Sequence, residues 1–220
     1  MTGRRQNVYG MVLGVLVAVL LACSGLADLP KDKGDRVRLN EISIEYLDGA
    51  LESAETRLNV YLKEYPEDDL AWTILGNVYD DLSRPEDARR CYEQSLALNP
   101  QRMEALTGLG ILHRQESNYD LAMEYYGRAV KVDPTYAPAY SSMAVIALKR
   151  EQDVKALEYA RRGYELDPED PAIVANLAVA YHYNNDFEKR DKYTNEAEQK
   201  GYGKIARLKE IYRGEYTIRD

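Results

Sequence analysis

The chain has 220 residues, 45% hydrophobic and 30% charged, an ordinary composition for a soluble globular protein with room for one or two compact domains. Acidic residues outnumber basic ones by 37 to 29, a formal charge of −8. That balance argues against nucleic-acid binding, which sets cations against phosphates, and against docking of the folded body on anionic lipid.

The first segment carries Arg4 and Arg5, then no charge from Gln6 to Ala27, with Val8 to Ala22 almost wholly apolar. A cleaved export signal has this layout of positive start and short apolar stretch. A membrane-spanning helix needs about 20 apolar residues, and this run is shorter. The stretch "LLAC", Leu20 to Cys23, resembles the bacterial lipobox, in which the signal is cut before a cysteine that becomes lipidated. The resemblance implies a signal peptide over residues 1–22, a lipidated Cys23, and a short linker over 23–35. An uncleaved anchor and a plain secreted chain stay open as alternatives. Ser24, where an Asp would retain a lipoprotein at the inner membrane, resembles the signal for sorting onward. The implied location is the cell envelope, anchored by lipid in the outer membrane and facing the periplasm. Cys91 is then the only other cysteine, can form no intramolecular disulfide, and reads as a small packing residue.

Beyond residue 35 the sequence repeats with a period of 34. Pro66, Pro100, Pro134 and Pro168 mark it, and Ala54, Ala88, Ala122 and Ala156 precede them in step. Gly76, Gly110, Ala144 and Ala178 form another column of small residues, and Trp72, Leu106, Tyr140 and Val174 a column of large ones. Apolar residues at i, i+3, i+4 and i+7 make each unit two amphipathic helices. Small residues belong where helices cross closely, and proline closes each unit because it cannot continue a helix. The acidic pairs Glu67–Asp68 and Glu169–Asp170 suit the positive end of the helix that follows.

The unit from Ala71 to Pro100 resembles the tetratricopeptide repeat (TPR), with Trp72, Leu75, Gly76, Tyr79, Ala88, Tyr92, Ser95 and Pro100 at the signature positions. The resemblance implies an all-α right-handed superhelix of about five helix-turn-helix units and a C-terminal capping helix. The units fall at about 36–68, 69–102, 103–136, 137–170 and 171–202, within an array over 36–213. In the first of them, Leu39, Ile42 and Tyr46 match the large-residue columns only if the internal turn is one residue short. After the fifth, Ile205, Leu208, Ile211 and Tyr212 share one face of a capping helix over 203–213. Residues 214–220 are expected to be a loose tail.

In the TPR family the first helices of successive units line a concave groove. Transferred by register, the lining includes Thr73, Asn77, Asp80, Thr107, Ile111 and Arg114. It continues with Ser141, Val145, Leu148, Asn176, Val179, His182 and Tyr183. The family's carboxylate clamp is not expected, since Thr73 and Thr107 stand where lysines would be needed. A peptide segment or helix of a partner protein, held through apolar contacts and amide hydrogen bonds, fits this lining better. Tyr125, Tyr159 and Tyr193 recur at one column of the second helices, where packing between repeats is the simpler reading and a partner contact the other.

Little of the chain is left for catalysis. His113 sits at a signature column as a packing residue, and His182 faces the groove with no second ligand in register, so neither a metal nor another cofactor is expected. "GLG" at Gly108–Gly110 lies within a helix and is no nucleotide loop. The layout is similar to lipoproteins that assist the assembly of pilus and secretin machinery. The expected function is therefore a non-enzymatic scaffold for an envelope complex such as a pilus or secretion system. The alternative is an adaptor that recruits a cell-wall hydrolase or protease.

Overall fold

A computed structural model describes residues 35–218. The apolar leader, Cys23 and the linker up to residue 34 lie outside the described residues, as do the last two positions of the tail. The described residues are all-α and form two compact units, one ending at Leu112 and one beginning at His113. The first holds α1 (Arg36–Leu47), α2 (Leu51–Glu64), α3 (Asp69–Asp81), α4 (Pro85–Leu98) and most of α5 (Met103–Gln115). The second holds the end of α5, then α6 (Tyr119–Val132), α7 (Ala137–Lys149), α8 (Asp153–Leu166), α9 (Pro171–Tyr183), α10 (Phe187–Gln199) and α11 (Ile205–Tyr212).

Each helix starts and stops for local reasons. Asp68 caps α3 by accepting from the backbone N–H groups of Leu70 and Ala71, both at 3.2 Å. Asp170 does the same for α9 through Ala172 and Ile173. The aspartate of each acidic pair therefore acts as a cap, satisfying donors that a helix leaves open. The turn inside each helix pair is three residues long and passes through one left-handed residue: Gly49, Ser83, Ser117, Glu151 and Asn185, each 34 after the last. The proline columns have a structural partner too. The Trp72 indole donates to the Pro66 carbonyl at 2.8 Å, and the Tyr140 hydroxyl donates to that of Pro134 at 3.2 Å.

The first repeat departs from expectation. Its turn is as long as the others, with Gly49 in strict register, so Leu39, Ile42 and Tyr46 do not slide into the large-residue columns. They fall instead at the columns of Thr73, Gly76 and Asp80. Leu39 and Ile42 are buried there, because α1 packs against α2 and α3.

In the first unit the small residues hold one large side chain. The Tyr92 ring of α4 lies between Gly76 of α3 and Gly108 of α5. A Cβ added at Gly76 would stand 2.6 Å from the ring, and one at Gly108 2.5 Å. The phenol then donates to Asn77 Oδ1 at 2.8 Å, satisfying its polar end where burial leaves no water. The alanine column, Ala54, Ala88, Ala122 and Ala156, is wholly buried.

In the second unit, Leu148, Val174, Val179, Leu208 and Ile211 share a core, with Ile205 and Tyr212 packed against it. The C-terminal helix α11 thus covers the last repeat with the face read from its sequence. Arg190, standing where the alanine column would continue, lies 4.9 Å from the Phe187 ring centre and 5.0 Å from that of Tyr212. The start of the tail is not loose. Arg207 stacks on the exposed Tyr216, and the partly buried Ile218 packs against the core and holds it down.

Two predictions rest on these contacts. Gly76→Leu should lower stability by about 1–3 kcal/mol through overpacking against Tyr92. Gly127→Ala, in the middle of α6 with open space around it, should raise stability by about 0.5–1 kcal/mol. Urea unfolding reads both, and equal shifts would show that Gly76 is not crowded. Tyr92→Phe, Asn77→Ala and the double substitution should give a coupling of about 1 kcal/mol; strict additivity would mean the hydrogen bond contributes nothing.

Candidate functional site

The residues read as groove lining divide into buried and accessible sets. In the first unit Thr73 and Thr107 are buried, and their hydroxyls are committed internally. Thr73 donates to the Asp69 carbonyl at 2.9 Å and lies 2.8 Å from the Ser95 hydroxyl, while Thr107 donates to the Met103 carbonyl at 2.7 Å. Asn77, Asp80 and Ile111 are half-buried, with the Asn77 carbonyl taken by Tyr92. Of the residues read as lining in this unit, Asn77, Asp80 and Ile111 are therefore the accessible ones, and the two threonines act as internal fasteners.

In the second unit the first helices α7 and α9 lie side by side. Asn176 joins them by donating to the Ser141 hydroxyl at 2.8 Å. Ser141, Leu148 and Val179 are buried, the latter two in the shared core. His182 does not face open space: its ring centre lies 5.0 Å from Tyr212, 5.2 Å from Tyr183 and 6.1 Å from Phe187. The capping helix, whose approach no column of the repeat announces, brings Tyr212 there. Tyr183 likewise packs against the core that α11 completes. The accessible set in this unit is thus Arg114, Val145 and Asn176, all half-buried.

The tyrosine column is chiefly packing. Tyr125 stacks on His113 at 5.4 Å between ring centres, and Tyr193 stacks on Tyr181 at 5.4 Å and meets Tyr164 edge-on at 5.2 Å. Cys91 is buried on α4, and burial pushes its thiol up to about 12, so at neutral pH it holds its proton and is a poor nucleophile.

The repeat pattern does not single out a cationic group that the fold gathers around Tyr119. The Lys149 ammonium and the Arg150 guanidinium each lie 5.9 Å from the Tyr119 ring centre. The phenol is held below its ordinary value, first by its hydrogen bond with Ser117 and further by the positive charges of Lys149 and Arg114. Arg150 is paired with the exposed Asp120 at 2.6 Å. Lys149 is the thirteenth residue of its unit and so occupies a lining column, which is the signal that could have found it. Tyr119 joins it only because the left-handed Ser117 folds the turn back. The charge is also uneven along the chain: residues 35–112 carry 16 acidic and eight basic side chains, residues 113–220 carry 19 and 17. Among the described residues no group of three or more His, Cys, Asp or Glu is placed to hold a metal ion. No helix of the described residues is long and apolar enough to cross a membrane.

The helix-pair geometry matches known proteins. The tetratricopeptide repeat family model matches residues 73–137 and 118–171. No curated protein matches the sequence. Among solved structures, the chain is similar to TTC0263, a thermophilic TPR protein of Thermus thermophilus. The TM-score is 0.69 at 19% identity, over 81% of this chain and 97% of that one. It is also similar to PilF of Pseudomonas aeruginosa, with a TM-score of 0.67 at 19% identity over 78% of each chain. A third is PilW, described as a widely conserved type IV pilus biogenesis factor, with a TM-score of 0.64 at 21% identity over 82% of this chain and 92% of that one. At these identities the likeness is one of fold. Residues 73–171 thus carry the repeats of the tetratricopeptide family, and the same helix-pair fold continues on either side.

Proposed function

We propose that this protein is a lipid-anchored TPR scaffold that binds a partner protein in the bacterial envelope. Through that contact it assists assembly or placement of an envelope complex such as a pilus or secretion system. The observation that carries the reading is the surface left open where α7 and α9 run side by side. There Val145 and Asn176 are only half-buried, beside the buried Ser141, Leu148 and Val179. An apolar side chain beside an amide suits a segment of another protein, which needs burial for affinity and a few hydrogen bonds for register. The likeness in fold to PilF and PilW supports a pilus system in particular. The anchor rests on the "LLAC" stretch and Cys23. Several acyl chains on one residue would hold the protein at a membrane, where a single chain binds only marginally.

Two substitutions test the two halves of the reading. Cys23→Ser should move the protein from the membrane fraction to the soluble fraction; unchanged membrane retention would leave a spanning anchor instead. Val145→Asp should cut recovery of the native partner, identified by affinity purification from solubilised envelopes, with the helical circular dichroism unaltered. Undiminished recovery would move the contact off this surface.

A further inference from the structure

The first repeat has an open side that every later repeat has covered. Two columns on the first helices show it. One runs through Ala71, Ala105, Ala139 and Ile173, the other through Val78, Leu112, Ile146 and Ala180, and all eight residues are buried. In three of these four repeats the cover comes from the second helix of the preceding one: α2 packs on α3, α6 on α7, and α8 on α9. Gly49 keeps the first repeat in strict register, so the same columns pass through Val37 and Ile44 on α1. These two are 66% and 58% exposed. Seven residues apart, they stand on one face about 10 Å from each other along the helix.

The surroundings are acidic. Asp48 beyond them is exposed, and Glu41 between them is paired with Arg57 at 3.1 Å. The arginines of α1 are occupied, Arg36 with Asp68 and Arg38 with Glu64. Residues 35–112 as a whole carry 16 acidic and eight basic side chains. A second copy packed two-fold on this face would set Asp48 and the negative excess of residues 35–112 against their own equivalents, which like-charge repulsion opposes. An anionic lipid surface meets the same objection. We propose that the α1 face binds a helix of a partner protein, apolar along one side and basic along its flanks. That helix sits where the second helix of a preceding repeat would lie. The contact is separate from the α7–α9 surface and does not depend on it.

The natural probe is the helix that performs this task one repeat later. A labelled peptide with the sequence of α2, its Glu52, Glu55 and Glu64 changed to Lys, is titrated with the detergent-solubilised full chain and followed by fluorescence anisotropy. Saturable binding is expected, weakened about tenfold or more by Val37→Asp and by Ile44→Asp. Both side chains stand in solvent, so the circular dichroism of either variant should match the parent's. The unaltered acidic peptide should bind less tightly than the basic one. No binding, or binding indifferent to both substitutions, overturns the proposal. Binding lost with Val145→Asp instead would place the peptide on the α7–α9 surface and overturn it while leaving the scaffold reading intact. A dimer in sedimentation that Val37→Asp dissociates would assign the face to a second copy and overturn the proposal as well.

Discussion

Close approach of helices at columns of small residues is the constraint from which the rest follows. Its sharpest instance is the Tyr92 ring, held between Gly76 of one such column and Gly108, two residues before the column's next member, with no space for a Cβ on either side. A helix interior ordinarily disfavours glycine by about 1 kcal/mol relative to alanine, so two glycines facing one ring mark where packing outweighs propensity. The ring buries a large apolar surface, and its hydroxyl finds Asn77. Three helices are thereby set at fixed separation by one side chain.

The same economy governs the polar residues. Thr73, Thr107, Ser141 and Asn176 sit on columns that line a binding groove in the family, yet each makes a hydrogen bond within the protein. A hydroxyl or amide near the helix crossings must be satisfied there, because an unpaired buried donor costs about 1–3 kcal/mol. The groove lining is therefore thinner than the register implies. The half-buried remainder is Asn77, Asp80 and Ile111 in one unit and Arg114 and Val145 in the other. The positive group of Arg114, Lys149 and Arg150 stands out in a chain whose first unit holds most of the net negative charge.

A stack of repeats has two ends, and the two are finished differently. At the C-terminal end Arg190 replaces an alanine and lies over Phe187 and Tyr212, while Leu208 and Ile211 of α11 close the core. A long charged side chain with an apolar stem covers such an end while keeping its charge accessible. At the other end α1 carries two large apolar residues into solvent at columns that every later repeat buries. The asymmetry is built from the same register and differs only in what precedes or follows it.

The sequence by itself determined the period of 34, the helix pairs, the buried alanine column, the capping face of α11 and the acidic helix caps. Each of these depends on residue type at a fixed local spacing, and local spacing is what a repeat displays. Tertiary structure alone decided which lining residues face inward, because that depends on neighbours 15 to 35 positions away. Asn77 meets Tyr92, Asn176 meets Ser141, and Tyr212 covers His182 from a helix outside the repeat. The register of α1 was settled the same way: Gly49 in a left-handed conformation fixes the turn length, whereas the column pattern alone suggested a shorter one. Burial is a property of pairs of elements, and a column shows only one partner of each pair.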